Sequence, residues 1–123
     1  MKPVRATCHC GAVSLHAELV GRGMEPARCT CSFCKRRQAG NVSVAANSVQ
    51  ILKGQDHLRL YQFGTKTAEH YFCGTCGIYT HHRRRSDPNE IGVNIGCIEG
   101  QKPWDHEPMV WHDGIDHPSD EAK

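Results

Sequence analysis

The segment FCGTCG (residues 72–77) decides the fold, because it carries the closely spaced pair Cys73 and Cys76. Structural zinc takes four ligands in a tetrahedron, and two thiolates separated by two residues on a tight turn can supply half of them. Gly77 follows the pair and lets the backbone reverse without a Cβ clash. The segment therefore predicts half of a zinc site, whose other half comes from elsewhere in the chain.

The segment CHCGAV (residues 8–13) supplies that other half through Cys8 and Cys10. Side chains two positions apart on an extended segment point to the same face, so both sulfurs can converge on one ion. The same geometry disfavours a disulfide between them, because a disulfide needs converging Cβ atoms. We predict one structural zinc held by Cys8, Cys10, Cys73 and Cys76. The alternative, four reduced core cysteines, is more typical of isolated cysteines than of two closely spaced pairs.

The segment CTCSFC (residues 29–34) is different, because Cys29, Cys31 and Cys34 offer three sulfurs and no obvious fourth partner. Three protein ligands and an open position are typical of chemically active zinc. We therefore predict a second zinc with an open fourth position. A closed site remains the alternative, completed by a distant histidine or by Cys97, although Cys97 is expected to pack in a strand as a small buried group.

The composition fits a small zinc-stabilised domain. The chain has 123 residues, of which 38% are hydrophobic and 7% aromatic, so apolar burial needs support from other interactions. Its net charge of +2 predicts no polyanionic partner, and its basic runs lack the interleaved aromatics typical of nucleic-acid binding. The start MKPVRATCHC has no signal-peptide core and no apolar run is long enough to span a membrane, so we expect a cytoplasmic protein. In that reducing compartment eight cysteines indicate metal rather than disulfides.

Alternation of polar and apolar residues between turn signals predicts an all-β domain of short antiparallel strands, with cysteines at the strand ends. The predicted strands span residues 13–19, 41–46, 49–53, 58–63, 68–72, 79–82 and 91–95. The one predicted helix spans residues 32–38, with Ser32 as its cap and Lys35, Arg36 and Arg37 in its C-terminal half. We expect one domain over residues 1–118 and a disordered tail over residues 119–123.

Other polar residues near the cysteines yield weaker predictions. Along the chain His70 lies beside the Cys73 pair, and His82 belongs to a separate strand. The basic run Lys35, Arg36 and Arg37 adjoins the second cysteine group, where its charge could meet an anionic ligand. No residue is identified from the sequence as a general acid or base.

The motifs together resemble those of the glutathione-dependent formaldehyde-activating enzyme family, which is grouped with centromere protein V. The resemblance extends from about residue 8 to residue 114. It is carried by CHCGAV (8–13), CTCSFCKR (29–36), YQFGTKTAEHYFCGTCG (61–77), VNIGCIEG (93–100) and HDG (112–114).

The resemblance implies an Mss4-like, all-β fold of small antiparallel sheets and two zinc ions per chain. It assigns Cys8, Cys10, Cys73 and Cys76 to the structural zinc, and Cys29, Cys31 and Cys34 to the catalytic zinc. It implies a carbon–sulfur lyase that joins glutathione and formaldehyde into S-hydroxymethylglutathione. Two alternatives stay open: a zinc-stabilised protein-binding module without catalysis, and a redox or metal-storage role.

Overall fold

The fold is built from short, mostly antiparallel strands. A computed structural model describes residues 2–84 and 87–113. The strands are β1 (Lys2–Thr7), β2 (Ser14–Leu19), β3 (Ala27–Cys29), β4 (Asn41–Ala45), β5 (Gln50–Lys53), β6 (Leu58–Tyr61), β7 (Glu69–Cys73), β8 (Tyr79–Arg83), β9 (Glu90–Asn94) and β10 (Val110–His112). The helix α1 spans Cys34–Arg37, and 3-10 turns span Ala46–Ser48, Gln55–His57, Ile95–Cys97 and Pro103–His106.

The strands pair in the order β1-β2-β4-β9-β8-β7-β6. Off this path, β5 pairs with β2, β3 pairs with β4, and β10 lies parallel to β3. The predicted antiparallel β architecture is confirmed, and each of the seven predicted strands overlaps an observed one. Strands β1, β3 and β10 were not predicted.

The main core lies between the strands at the β1 end of this path. Its fully buried members include Leu15, Leu19, Val42 and Val93. The strand period of two places the apolar residues of β4 in this core and turns Asn41 and Ser43 to the opposite face. One face of β4 is thereby available for a polar site.

A second, smaller core surrounds the first cysteine group. Cys8, Val13 and Cys73 are buried there, and Leu58 packs against them. So few apolar side chains are a weak source of stability, which is consistent with a metal holding this end of the molecule.

Two details of the sequence prediction are wrong. Helix α1 is capped by Phe33 with no side-chain hydrogen bond, so Ser32 is not its cap. Cys97 is buried as expected but lies in the 3-10 turn Ile95–Cys97 rather than in a strand. The predicted end of the domain at residue 118 and the tail at 119–123 lie outside the described residues. Among the described residues, no helix is both long and apolar enough to cross a bilayer.

Candidate metal centres and cavity

The first cysteine group, named here the four-sulfur group, consists of Cys8, Cys10, Cys73 and Cys76, whose sulfur atoms all lie within 4.8 Å of one another. The Sγ of Cys10 is 3.7 Å from the Sγ of Cys8 and 3.7 Å from that of Cys73. Sulfurs around a tetrahedral zinc, at the usual bond length of about 2.3 Å, are about 3.8 Å apart. The donor type, the number of donors and their spacing therefore fit zinc.

Backbone amides support the four-sulfur group. The N–H of Val13 donates to Cys8 Sγ at 3.3 Å, and the N–H of Thr75 donates to Cys73 Sγ at 3.4 Å. Amides of Cys10 and Ile78 lower the pKa of Cys76 to about 6. Gly77 adopts φ +79°, which confirms the backbone reversal predicted for it. The turn thus favours the thiolate form of Cys76, the form in which cysteine binds metal, whereas burial and the neighbouring sulfurs raise the pKa of Cys10 to about 11.

The second group, named here the three-sulfur group, consists of Cys29 at the end of β3, Cys31, and Cys34 at the start of α1. Their sulfur atoms also lie within 4.8 Å of one another. Among the described residues, no histidine, carboxylate or further cysteine places a ligand atom within 4.8 Å of all three sulfurs. Three thiols with room for one more ligand fit zinc in its open form.

The three-sulfur group lies in the wall of a cavity of about 830 Å³, named here the cysteine cavity. This volume falls in the range of about 300–1,000 Å³ that is usual for small-molecule sites. The other side chains that matter below line the same cavity: Asn41 from β4, His70 from β7, His82 from β8, Arg84 after β8, and Arg22 before β3.

Arg37 connects the three-sulfur group to the aromatic residues behind it. One guanidinium nitrogen donates to Cys34 Sγ at 3.3 Å, and another lies 3.2 Å from Nδ1 of His70. The guanidinium also lies over the rings of Tyr79 and Phe33, at 3.7 and 4.6 Å from the ring centres. Of the three predicted basic neighbours, Arg37 therefore faces inward, whereas Lys35 and Arg36 are exposed.

His70 and His82 form a stacked pair in the cavity wall. Their rings are 5.2 Å apart between centres and inclined by 20°. Burial and the charge of Arg37 lower the pKa of His70 to about 4, and the same causes hold the pKa of His82 well below its usual value. Both imidazoles are therefore neutral near pH 7.

Sequence reasoning placed His70 beside the four-sulfur group, and the structure corrects this. Residues three apart on a strand point to opposite faces, so the side chain of His70 leaves β7 on the opposite side from Cys73. It lines the cysteine cavity instead. His82 could have been found only by knowing that it pairs with His70 across β7 and β8.

Two arginines at the cavity share one carboxylate. Arg22 and Arg84 both bind Oε1 of Glu90, and Arg84 does so at 3.1 Å with only 23% of its side chain exposed. Arg28, by contrast, is bound by both carboxylate oxygens of Glu107. Glu25 and Asp113 also line the cavity, so its charged lining is mixed in sign.

Comparison with known proteins agrees with the motifs and the fold. The family model for the glutathione-dependent formaldehyde-activating enzyme matches residues 3–114. The crystal structure of a Rhodobacter sphaeroides protein is 48% identical, with a TM-score of 0.84, over 88% of this chain and 99% of that one. The match to the family model spans nearly the whole chain and confirms the resemblance carried by the cysteine motifs. This chain belongs to the glutathione-dependent formaldehyde-activating enzyme family.

Proposed function

We propose that this protein is a zinc-dependent enzyme of the carbon–sulfur lyase type, which joins glutathione to a small aldehyde such as formaldehyde or cleaves the S-hydroxymethyl adduct. One observation carries the proposal. Three cysteine sulfurs meet in the wall of a cavity of about 830 Å³, and among the described residues no fourth ligand atom lies within 4.8 Å of all three. Family membership supports the choice of thiol and aldehyde.

Two zinc ions per chain follow from the sulfur groups. Cys8, Cys10, Cys73 and Cys76 would hold a structural ion, and Cys29, Cys31 and Cys34 an ion with an open position. Zinc bound to three cysteines supplies a position at which a substrate sulfur binds in its deprotonated form. Elemental analysis of protein purified without chelator should give two zinc ions per chain, and a value of one would remove the second site.

The chain's own residues would position both substrates. Glutathione carries carboxylates, and the guanidinium groups of Arg22 and Arg84, which share Glu90, would hydrogen-bond one of them. Because the cavity wall holds the three-sulfur group and the histidine pair together, a bound thiol and an aldehyde would meet within one cavity. Such positioning replaces a collision in solution and lowers the entropic part of the barrier.

Cobalt substitution tests the proposal, because the visible bands of cobalt report its ligands. Glutathione should shift the bands of the three-sulfur group and leave those of the four-sulfur group unchanged. Cys31→Ser should abolish the shift, whereas Cys97→Ala, at a cysteine outside both groups, should retain it. If no thiol shifts the bands in protein with both sites filled, the open-site proposal is wrong and a zinc-stabilised binding module becomes the better explanation.

A further inference from the structure

Arg37 differs from the arginines that line the cysteine cavity, because no carboxylate among the described residues forms an ion pair with it. The arginines of the cavity wall are all paired with glutamates: Arg22 and Arg84 with Glu90, and Arg28 with Glu107. A guanidinium does not lose its proton in proteins, so Arg37 is a permanent positive charge. The groups that contact this charge are of another kind.

The guanidinium of Arg37 is held in place on several sides. It lies 3.7 Å from the ring centre of Tyr79 and 4.6 Å from that of Phe33. One nitrogen contacts Nδ1 of His70 at 3.2 Å, and Nε is buried without a hydrogen-bond partner among the described residues. A charged group held partly out of water with one N–H unpaired is costly unless negative charge lies close by. We therefore looked for an anionic partner among its contacts.

The contact that can supply negative charge is Cys34, whose Sγ accepts a hydrogen bond from a guanidinium nitrogen of Arg37 at 3.3 Å. Cysteine binds metal as a thiolate. A hydrogen bond in which both partners are ionised is about twice as strong as one between neutral groups. Arg37 therefore gains its anionic partner when the three-sulfur group, to which Cys34 belongs, holds a metal ion.

The charges of that metal-loaded group can be counted. Three thiolates and one divalent zinc ion together carry a single negative charge, which the guanidinium of Arg37 balances. A thiolate in the fourth position would add a second negative charge, of which Arg37 again offsets one. A neutral fourth ligand would add none. A fixed positive charge beside the group therefore favours an anionic fourth ligand over a neutral one.

We propose that Arg37 is a positioning residue that supplies the counter-charge of the three-sulfur group, and thereby makes its metal prefer a thiolate to a neutral molecule as the fourth ligand. This inference rests on the proposed function, in which a substrate thiol takes that position and releases its proton to solvent. Arg37 is not among the residues that line the cysteine cavity, so it acts through Cys34 rather than by touching the substrate. Its hydrogen bond withdraws electron density from the Cys34 sulfur, so the metal accepts more from the fourth ligand.

Cobalt-substituted protein tests this preference with two small probes, at a pH of about 8 where imidazole is neutral. The anionic probe is 2-mercaptoethanol, which carries no charge besides that of its thiolate, and the neutral probe is imidazole. One charge within about 10 Å, at an effective dielectric constant of about 20, changes an affinity by about tenfold. Arg37→Gln should therefore weaken binding of 2-mercaptoethanol by about tenfold and that of imidazole by less than about twofold.

Three further variants serve as controls. Arg37→Met, which keeps apolar contact with Tyr79 and Phe33, should lose as much affinity for 2-mercaptoethanol as Arg37→Gln. Arg37→Lys keeps the charge and should recover most of it. Arg36→Gln, at an exposed neighbour, should bind both probes as the wild type does. Equal losses for both probes in the Arg37 variants would indicate a purely structural role, and no loss for the thiol would show that the charge is not used. Either result would overturn the inference.

The sulfur-to-cobalt charge-transfer bands, measured without an added ligand, give a test that does not depend on thiol binding. Loss of the hydrogen bond to Cys34 raises the energy of the sulfur electrons, so Arg37→Gln should shift the bands of the three-sulfur group to longer wavelength. Unchanged bands of the four-sulfur group would show that the variant is folded. Wild-type protein that binds no thiol would overturn the proposed function. The charge-transfer bands would then decide the role of Arg37, and unshifted bands in Arg37→Gln would overturn it.

Discussion

Gly92→Ala is a perturbation that reaches the histidine pair without touching a cysteine. Gly92 lies in β9 directly opposite His82 in β8. A Cβ built at this position would lie 2.4 Å from Cε1 of His82 and 2.9 Å from its Nδ1. Carbon atoms in contact are about 3.5–4.0 Å apart, so the ring has to move by about 1 Å or more.

The ring cannot move without losing a contact. His70 stacks on it, and the Tyr79 hydroxyl is hydrogen-bonded to its Nδ1. Overpacking of a core costs about 1–3 kcal/mol, and loss of a buried hydrogen bond about 1–3 kcal/mol. We expect Gly92→Ala to lower the free energy of unfolding by about 2–6 kcal/mol. The free energy of unfolding of a small domain is about 5–15 kcal/mol in total. The variant should therefore fold, with a melting temperature on the order of 10 °C lower.

Urea and thermal unfolding of the zinc-loaded protein measure this cost. Gly21→Ala is the matched control, since nothing lies within 4 Å of its Cβ position and it should unfold like the wild type. In a His82→Ala background the ring is absent, so Gly92→Ala should cost less than about 1 kcal/mol. Equal costs in the two backgrounds, or none in the wild type, would refute the steric argument.

Three further predictions concern other parts of the molecule. Cys73→Ser should leave the protein unfolded, because structural zinc contributes on the order of 10–16 kcal/mol to the folding free energy of small peptides. Cys31→Ser should remain folded. Equal losses of soluble yield and of the circular dichroism signal in the two variants would contradict this division of roles. Gly54→Ala should also unfold the protein, since its Cβ would lie 2.0 Å from the Ala12 carbonyl oxygen at a φ of +83°, and a wild-type melting curve would contradict this. Burial lowers the pKa of His81 to about 4, so its NMR titration midpoint should lie near pH 4, and a midpoint near 6.5 would show an exposed ring. The unfolded chain binds this proton more readily, so the contribution of His81 should lower stability as the pH falls from about 6.5 towards 4.

Much of the fold could be predicted because its strands alternate locally between buried and exposed residues. β2 shows this pattern clearly, with Leu15, Ala17 and Leu19 buried. β1 is harder to recognise, since only Val4 and Ala6 are buried between proline and charged residues. β3 and β10 have three residues each and pair with one another, although they are far apart in the sequence. Their existence depends on tertiary contacts that no local pattern contains.

The residues of the candidate site also divide into those that a local pattern predicts and those that it does not. Both cysteine groups were predictable, because the spacing within each segment brings sulfurs together over one turn. Arg37 and His82 were not, because their roles depend on partners in other elements. The sequence showed a basic run and a pair of adjacent histidines, but not that Arg37 turns inward to His70 or that His82 lines the cavity.

Helix α1 links the three-sulfur group to His70. Cys34 and Arg37 are three residues apart, so they lie on the same face of this four-residue helix. Cys34 belongs to the three-sulfur group, and Arg37 donates to Nδ1 of His70. So short a helix is not stable alone, and it depends on its attachments at both ends. One helical turn therefore connects the three-sulfur group to a histidine ring in the cavity wall.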